Sequence, residues 1–149
     1  MKILLHFILP ITLISCCFGN RKCPEGNNSA TFRIQNSTNG NDLVFGLSKI
    51  YNKDSIKFYS MSGTDTIFHS YMAGAYSDIP QDSLLFVRFD NRQIKTVYVR
   101  LNNIDVDTLN LNYSLSSSAC CGDRINVSPV SYNNKYLETS SNGITIIKK

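Results

Sequence analysis

The chain has 149 residues, of which 42% are hydrophobic and 17% charged, and its formal net charge is +4. That length and composition predict one globular domain with a core of its own. The basic residues are scattered, and only Arg21-Lys22 and Lys148-Lys149 are adjacent pairs. Nucleic-acid binding needs a clustered basic face, so the sequence predicts no nucleic-acid partner.

An apolar run over Ile3–Ile14 follows the single charge of Lys2 at the N-terminus. It is too short to cross a bilayer as a helix, which needs about 20 residues. A charged start, a short apolar segment and then the small residue Ser15 are typical of an export signal. The sequence therefore predicts an export leader at this end of the chain.

The end of this leader, Leu13-Ile14-Ser15-Cys16, resembles the lipobox of bacterial lipoproteins. The resemblance implies removal of residues 1–15 and a thioether-linked diacylglycerol on Cys16. Each buried acyl CH₂ group contributes about 0.8 kcal/mol, so two or three acyl chains would hold the protein on a lipid bilayer permanently. The alternative is an ordinary secretory signal, with Cys16 or Cys17 merely close to the cleavage point.

Residues 16–30 are polar and rich in turn-forming residues, and we interpret them as a lipidated tether. If Cys16 carries lipid, an even number of cysteines is left in an oxidising compartment. These disulfide candidates are Cys17, Cys23, Cys120 and Cys121. A bond between the adjacent Cys120 and Cys121 would be strained, so bonds from the N-terminal pair to that turn are favoured. A bond from Cys23 would close a loop of about 100 residues and stabilise the fold by roughly 4 kcal/mol.

Short runs with alternating apolar residues follow one another from residue 31 to residue 149 and predict strands. Asn39-Gly40, Ser62-Gly63 and Asn142-Gly143 are turn signals between them. The predicted strands are Thr31–Gln35, Ile56–Met61, Thr66–Tyr71, Leu84–Phe89, Ile94–Leu101, Val106–Leu115, Ile125–Tyr132 and Ile144–Ile147.

Two segments of this region are less regular. Leu43–Tyr51 fits either a broken strand or a loop that crosses between sheets. Pro129 has no backbone N–H to donate, which predicts an edge strand or a bulge. Seven or eight short strands without helical periodicity predict an all-β domain over residues 31–149, an antiparallel β-sandwich of the Ig-like or transthyretin-like kind.

No catalytic constellation stands out. His69 is the one histidine beyond the leader, so a Ser-His-Asp triad would have to use it, and no G-x-S-x-G motif is present. We interpret His69 as a surface or hydrogen-bonded structural residue. The adjacent Cys120 and Cys121 lack the C-x-x-C spacing of a redox site and favour a structural clasp. We predict no catalytic residue and no cofactor.

Two ligand sites are weak candidates. Asp105 and Asp107 are two residues apart and would share one face of a strand, where paired carboxylates can bind calcium. The favoured interpretation is a solvated strand start, because no EF-hand pattern surrounds them. The chain has eight Tyr, eight Phe and no Trp. A tyrosine platform for sugars near Tyr71 and Tyr76 is the weaker interpretation, and packing in the core and in cross-strand pairs is the favoured role for the aromatic residues.

Every Asp followed by Ser or Thr is followed next by Ile or Leu. This pattern resembles the acceptor of general protein O-glycosylation in the Bacteroidota. The candidate acceptors are Ser55, Thr66, Ser83 and Thr108. Turn chemistry at strand starts explains the same pattern, because Asp, Ser and Thr form turns and an aliphatic residue then opens the strand.

The lipobox, the polar tether and the all-β body resemble the small lipoproteins of the Bacteroidota. The resemblance implies an outer-membrane location, and the absence of acidic residues directly after Cys16 favours the periplasmic face. We expect a non-enzymatic, membrane-anchored protein that binds or supports another envelope protein. The alternatives are a binding module for glycan or calcium and, third, a hydrolase.

Overall fold

The computed structural model describes residues 26–75, 83–89, 93–118 and 122–149. Within these ranges the chain is all-β, and a three-residue 3-10 turn at Lys53–Ser55 is the one helical element. The strands are β1 (Ser29–Gln35), β2 (Lys57–Ser62), β3 (Asp65–Ala75), β4 (Ser83–Arg88), β5 (Thr96–Arg100), β6 (Val106–Ser118), β7 (Gly122–Tyr132), β8 (Lys135–Tyr136) and β9 (Ile144–Lys148).

The nine strands form a single sheet in the order β8-β7-β6-β5-β2-β3-β4-β1-β9, which curls into a half-barrel. The predicted all-β class is confirmed. The expectation of a purely antiparallel sheet is wrong at one place, because β1 and β9 run parallel, with Thr31 opposite Ile144. A parallel pair needs a crossover connection, and here the whole intervening chain provides it. The division into two layers of a sandwich stays a prediction.

The core lies inside the curl and is built from alternate residues of each strand. Phe32 stacks on Phe58 at 6.0 Å between ring centroids and meets Phe89 edge-on at 6.4 Å. Val97 and Val99 of β5 are fully buried, and so is Leu101, which directly follows that strand. Alternation with period two sends these three residues of the predicted strand Ile94–Leu101 to the core together.

In the β6–β7 hairpin, the alternating apolar residues of the sequence continue beyond the end of the hydrophobic core. Leu109 and Leu111 are buried, but Leu115 on the same face is 66% exposed because the hairpin extends past the packed region. The register between β6 and β7 shifts between Asn110 and Leu111, which stands opposite Pro129. The bulge predicted at the proline is confirmed.

Two other connections between strands have local explanations in side-chain hydrogen bonds and in backbone conformation. Leu43–Tyr51 is a loop rather than a strand, and the Asp42 carboxylate accepts hydrogen bonds from the backbone amides of Val44 and Phe45. Strand β8 was not predicted. Asn133 and Asn134 precede it with φ values of 46° and 62°, a left-handed pair that asparagine tolerates and that makes a tight hairpin turn.

The first described residues, Gly26 and Asn27, lie beside strand β7 in the β6–β7 hairpin. Strand β1 starts at Ser29, so the last two residues of the predicted tether belong to the sheet. Before it, the carbonyl of Asn27 accepts a 2.8 Å hydrogen bond from the Val127 amide. The predicted leader, Cys16 and the four disulfide candidates lie outside the described residues. Among the described residues, no helix has the length and apolar character that a membrane span requires.

Candidate functional site

A row of three aromatic side chains crosses the outer face of the sheet, the face turned away from the core. The strand register places Phe68 of β3 opposite Tyr59 of β2, and Tyr59 opposite Tyr98 of β5. The rings of Tyr59 and Tyr98 stack with centroids 5.3 Å apart and planes inclined by 24°, and Phe68 lies 6.1 Å from Tyr59. Phe68 is 65% exposed. We call these three residues the aromatic row.

Strand alternation explains why the aromatic row faces outward. Phe58 and Ser60 are buried on either side of Tyr59, and Val97 and Val99 are buried on either side of Tyr98. Residues next to each other on a strand point to opposite faces, so an aromatic residue between two core residues cannot also reach the core. The expected cross-strand aromatic pairs are therefore found in this row, on the outer face rather than in the core.

A second row on the same outer face is basic. Lys57 stands opposite Arg100, and Arg88 of β4 stands opposite Ser70 of β3. Lys57 and Arg100 are each two residues from an aromatic of the first row, a separation of about 7 Å along a strand. We call Lys57, Arg88 and Arg100 the basic row, and the two rows together the aromatic–basic face.

The basic row has no carboxylate partner within the part of the chain that the structure describes. Arg100 instead donates from Nε to the carbonyl of Asn102 and from Nη2 to the side-chain oxygen of Asn103. Like charges directly opposite each other on neighbouring strands are unfavourable, so Lys57 and Arg100 carry an uncompensated repulsion. Such a pair can be neutralised by an external anion.

A second charged cluster lies at the end of the half-barrel, around Lys149. Its Nζ donates to Oδ1 of Asp105 at 2.9 Å and to Oδ2 of Asp107 at 2.5 Å. Tyr132 donates its hydroxyl to Oδ2 of Asp107 at 2.6 Å, and Tyr51 donates to Oδ2 of Asp105 at 2.8 Å. We call these five residues the lysine cluster.

The prediction that the two aspartates share one side is confirmed by their common contact with Lys149. The prediction of a solvated strand start is wrong for Asp107. This residue is buried, and Tyr132 and Asn133 donate hydrogen bonds to its carboxylate. The ammonium of Lys149 holds the position between the carboxylates that a calcium ion would need. In the described ranges, no group of three or more His, Cys, Asp or Glu residues is placed to hold a metal.

Burial and hydrogen bonding compete for the protonation states of the lysine cluster. Burial would raise the pKa of Asp107, but hydrogen bonds from Lys149, Tyr132 and Asn133 bring that pKa below its ordinary value. Burial would lower the pKa of Lys149, but hydrogen bonds to the two aspartates raise it. Burial and the hydrogen bond to Asp105 raise the pKa of Tyr51 to about 12. Asp107 and Lys149 therefore form an ion pair at neutral pH.

His69 and Ser60 form a buried pair on the core side of β2 and β3. The Ser60 hydroxyl lies 2.8 Å from Nε2 of His69, and the imidazole meets Phe89 edge-on at 5.5 Å. Ser60 is fully buried. The prediction that His69 is a hydrogen-bonded structural residue is confirmed, and the buried hydroxyl is out of reach of a substrate in this arrangement.

The predicted sugar platform does not form at Tyr71. Its ring packs edge-on against Phe58 at 5.6 Å, and its hydroxyl donates to the carbonyl of Lys53. The second residue of that prediction, Tyr76, lies outside the described residues. The exposed aromatic surface is therefore elsewhere, in the aromatic row.

The four predicted glycosylation acceptors are at or near strand starts, as expected. Ser55 lies in the 3-10 turn before β2, and Thr66 is the second residue of β3; both are exposed. Ser83 is the first residue of β4. Thr108 is half-buried on β6 and donates from its amide to the side-chain oxygen of Asn133 at 2.8 Å. Their modification stays a prediction.

Comparison of the chain with protein families, with curated proteins and with solved structures finds no match. The function is therefore argued from the geometry. The charged groups of the lysine cluster are hydrogen-bonded to one another, and the His69–Ser60 pair is buried. The aromatic–basic face combines exposed ring surface with cations that have no carboxylate among the described residues, and it is the candidate functional site.

Proposed function

We propose that the protein is a non-enzymatic, lipid-anchored envelope protein that binds another envelope protein on its aromatic–basic face. Cys16 would carry the lipid, and residues 16–28 would connect it to the sheet at the outer membrane, facing the periplasm. The observation that carries the docking role is the outward-facing aromatic row, in which Phe68 is 65% exposed beside two stacked, half-buried tyrosines.

The energetics of the aromatic row favour a protein partner. Burying a phenylalanine side chain contributes about 1.5–3 kcal/mol, and aromatic residues with arginine are the commonest anchors of protein interfaces. Met72, 68% exposed on the same face of β3 but four residues beyond Phe68, adds a second apolar side chain, which is flexible and adapts to a partner surface. Exposed apolar side chains rimmed by polar residues are typical of interaction sites.

The alternative ligands have less support. A sugar platform needs a ring face open to solvent, whereas Tyr59 lies between Tyr98 and Phe68 in the aromatic row. Calcium binding at Asp105 and Asp107 would require displacement of Lys149. We therefore favour protein docking over the glycan and calcium hypotheses, and over a hydrolase.

We propose further that the sheet represents the two layers of an Ig-like or transthyretin-like sandwich. The supporting feature is β3, which pairs with β2 along one edge over Asp65–His69 and with β4 along the other over Ser70–Ala75. A strand that changes partners midway can pass from one layer to the next. A crystal structure would test the division.

A disulfide from Cys23 to Cys120 or Cys121 belongs to the same proposal. A Cβ on Gly26 would lie 2.6 Å from the carbonyl oxygen of Ile125, so the two backbones are in close contact. Cys23 precedes Gly26 by three residues and Cys121 directly precedes Gly122, so the chain length allows the bond. Peptide mapping of the unreduced protein should yield this cross-link, and free thiols at Cys23 would contradict it.

Photo-crosslinking in intact cells tests the docking role. We would place benzoylphenylalanine at position 68 and, as the control, at Tyr136 on β8, which is 83% exposed. Position 68 should give one adduct, identified by mass spectrometry as the same envelope protein in repeated experiments, and Tyr98→Ser should abolish it. Equal adducts at both positions, or none at position 68, would contradict the proposal.

The lipid anchor has its own test. The wild-type protein should fractionate with membranes, and the mass of its N-terminal peptide should include a diacylglycerol on Cys16. Cys16→Ser should release the protein to the soluble fraction, whereas Cys17→Ser should leave it with the membranes. Membrane association that survives Cys16→Ser would argue against the anchor.

A further inference from the structure

We infer that the partner meets the aromatic–basic face with an extended acidic segment, in which an apolar side chain and a carboxylate alternate with one residue between them. This inference rests on the proposed docking function and specifies the chemistry of the partner. It follows from the charges of the basic row, which contact no carboxylate among the described residues, from the spacing of the two rows and from the way the rings are stacked.

The charges identify the sign of the partner. Lys57 and Arg100 stand directly opposite each other, and Arg88 stands on the other side of β3 on the same face. The outer-face positions beyond the aromatic row add no carboxylate, because Thr66 stands opposite Met61 and Thr96 opposite Asn110. A partner carboxylate between Lys57 and Arg100 would replace a repulsion with two charge-assisted hydrogen bonds.

The spacing of the rows identifies the shape of the partner. Lys57 and Tyr59 are two residues apart on β2, as are Tyr98 and Arg100 on β5, so the rows lie about 7 Å apart. Side chains two residues apart in an extended segment point the same way at the same spacing. Such a segment can place an apolar side chain against the aromatic row and a carboxylate on the basic row.

The stacking of the rings favours an acidic peptide over other acidic polymers. Side chains on a sheet stand roughly perpendicular to it, so stacked rings present their edges, rather than their faces, to a ligand. Ring edges carry partial positive charge, which adds to the attraction for an acidic segment whose carboxylate lies on the neighbouring basic row. Single-stranded nucleic acids and sugars bind to ring faces, and Tyr59 has a neighbouring ring on both sides.

The binding experiment uses the purified full chain and a fluorescein-labelled Glu–Leu peptide, in which Glu and Leu alternate with one Ser between them, so that both side chains point the same way. Fluorescence anisotropy should report saturable binding that weakens with added salt. Lys57→Glu combined with Arg100→Glu should weaken binding by about tenfold or more. The matched control combines Lys135→Glu with Lys148→Glu, which changes the net charge equally on β8 and β9 and should alter the affinity by less than about twofold.

Several results would overturn the inference. Equal weakening by both double variants would indicate nonspecific attraction. Tighter binding of an oligogalacturonate or an oligothymidine than of the peptide would identify a glycan or nucleic-acid site instead. Thermal melting of both double variants would show whether either protein is misfolded. A charge-neutral variant, Lys57→Gln combined with Arg100→Gln, should bind the peptide at intermediate affinity if the basic row is the binding site.

The crosslinking experiment distinguishes this inference from the proposed function. If the adduct at position 68 persists in the Lys57→Glu and Arg100→Glu variant, the docking face stands and the acidic partner is wrong. If peptide binding depends on the basic row but no adduct forms in cells, the charge preference of the face stands and the docking function is wrong.

Discussion

The lysine cluster and the aromatic–basic face use similar side chains in opposite ways. In the lysine cluster, one cation lies between two carboxylates and two tyrosine hydroxyls complete the network. On the aromatic–basic face, three cations lie beside exposed rings and none contacts a carboxylate of the described chain. The charged groups of the lysine cluster contact one another within the fold, whereas those of the aromatic–basic face are oriented outward, where a partner could contact them.

The strongest test of this contrast is Lys149→Met. Removing the ammonium leaves Asp107 buried beside Asp105 without a counter-charge, and breaking a buried ion pair costs about 3 kcal/mol. The free energy of unfolding, measured with urea, should fall by that amount, whereas Lys148→Met on the exposed neighbour should change it by less than about 0.5 kcal/mol. Equal effects of the two substitutions would show that the cluster is not stabilising.

A smaller loss is expected when one hydroxyl of the cluster is removed. Tyr132→Phe deletes the hydrogen bond to the buried Asp107 and should cost about 1.5 kcal/mol. Tyr51→Phe deletes the bond to the more exposed Asp105 and should cost less, about 0.5–1 kcal/mol. The same urea titration measures both, and a reversed order would mean that Asp105 is the better buried of the two carboxylates in solution.

The cluster should also make stability depend on pH, with a smaller effect because protonation keeps the hydrogen-bonding atoms in place. The pKa of Asp107 is lowered in the fold, so its contribution is present above the ordinary carboxyl pKa near about 3.9 and is lost as the pH falls. The stability difference between wild type and Asp107→Asn should therefore shrink on acidification. A constant difference from pH 7 to pH 3 would contradict this.

At alkaline pH the stability should fall as the pH rises, the opposite direction to the acid side. The raised pKa of Lys149, and that of Tyr51 at about 12, contribute stability that is lost as the pH rises above about 10. Comparing urea midpoints of wild type and Tyr51→Phe between pH 9 and pH 12 measures the tyrosine share. The two proteins should converge in stability as the pH rises, and parallel curves would exclude that share.

The smallest expected effect on stability is at the aromatic–basic face. Phe68→Ser removes an exposed ring and should change the free energy of unfolding by less than about 0.5 kcal/mol, because few core contacts are lost. Binding of the Glu–Leu peptide should nevertheless weaken clearly, as measured by anisotropy. A large destabilisation with unchanged binding would mean that the aromatic row serves the fold, and the contrast between the two regions would fail.

Much of the strand pattern could be read from the sequence because it depends on neighbouring residues. Alternation predicted the buried Val97 and Val99, and Asn142-Gly143 predicted the turn before β9, where Gly143 has a φ of 77°. Pro129 predicted the bulge in β7 for the same local reason, the missing N–H. Cross-strand aromatic pairs were expected, and the alternation also indicated which aromatics face outward, but it did not indicate which strands would pair.

The lysine cluster could be predicted only in part. Two aspartates separated by one residue indicated a shared face, and they share one. Nothing near them in the chain indicated that Lys149, 42 residues beyond Asp107, would lie between them. That contact exists because β9 pairs parallel with β1 and delivers Lys149 to the end of the half-barrel where β6 begins.

The sequence by itself therefore determined the all-β class, most strand positions and the turns, since these depend on side-chain alternation and on backbone preferences over a few residues. Tertiary structure alone decided the strand order and the parallel β1–β9 pair. By setting the register across β3, β2 and β5, it also aligned three separate aromatics into a row and opposed Lys57 to Arg100. The physical reason is that pairing between strands distant in the chain is chosen by burial and hydrogen bonding of the whole sheet, which no local pattern encodes.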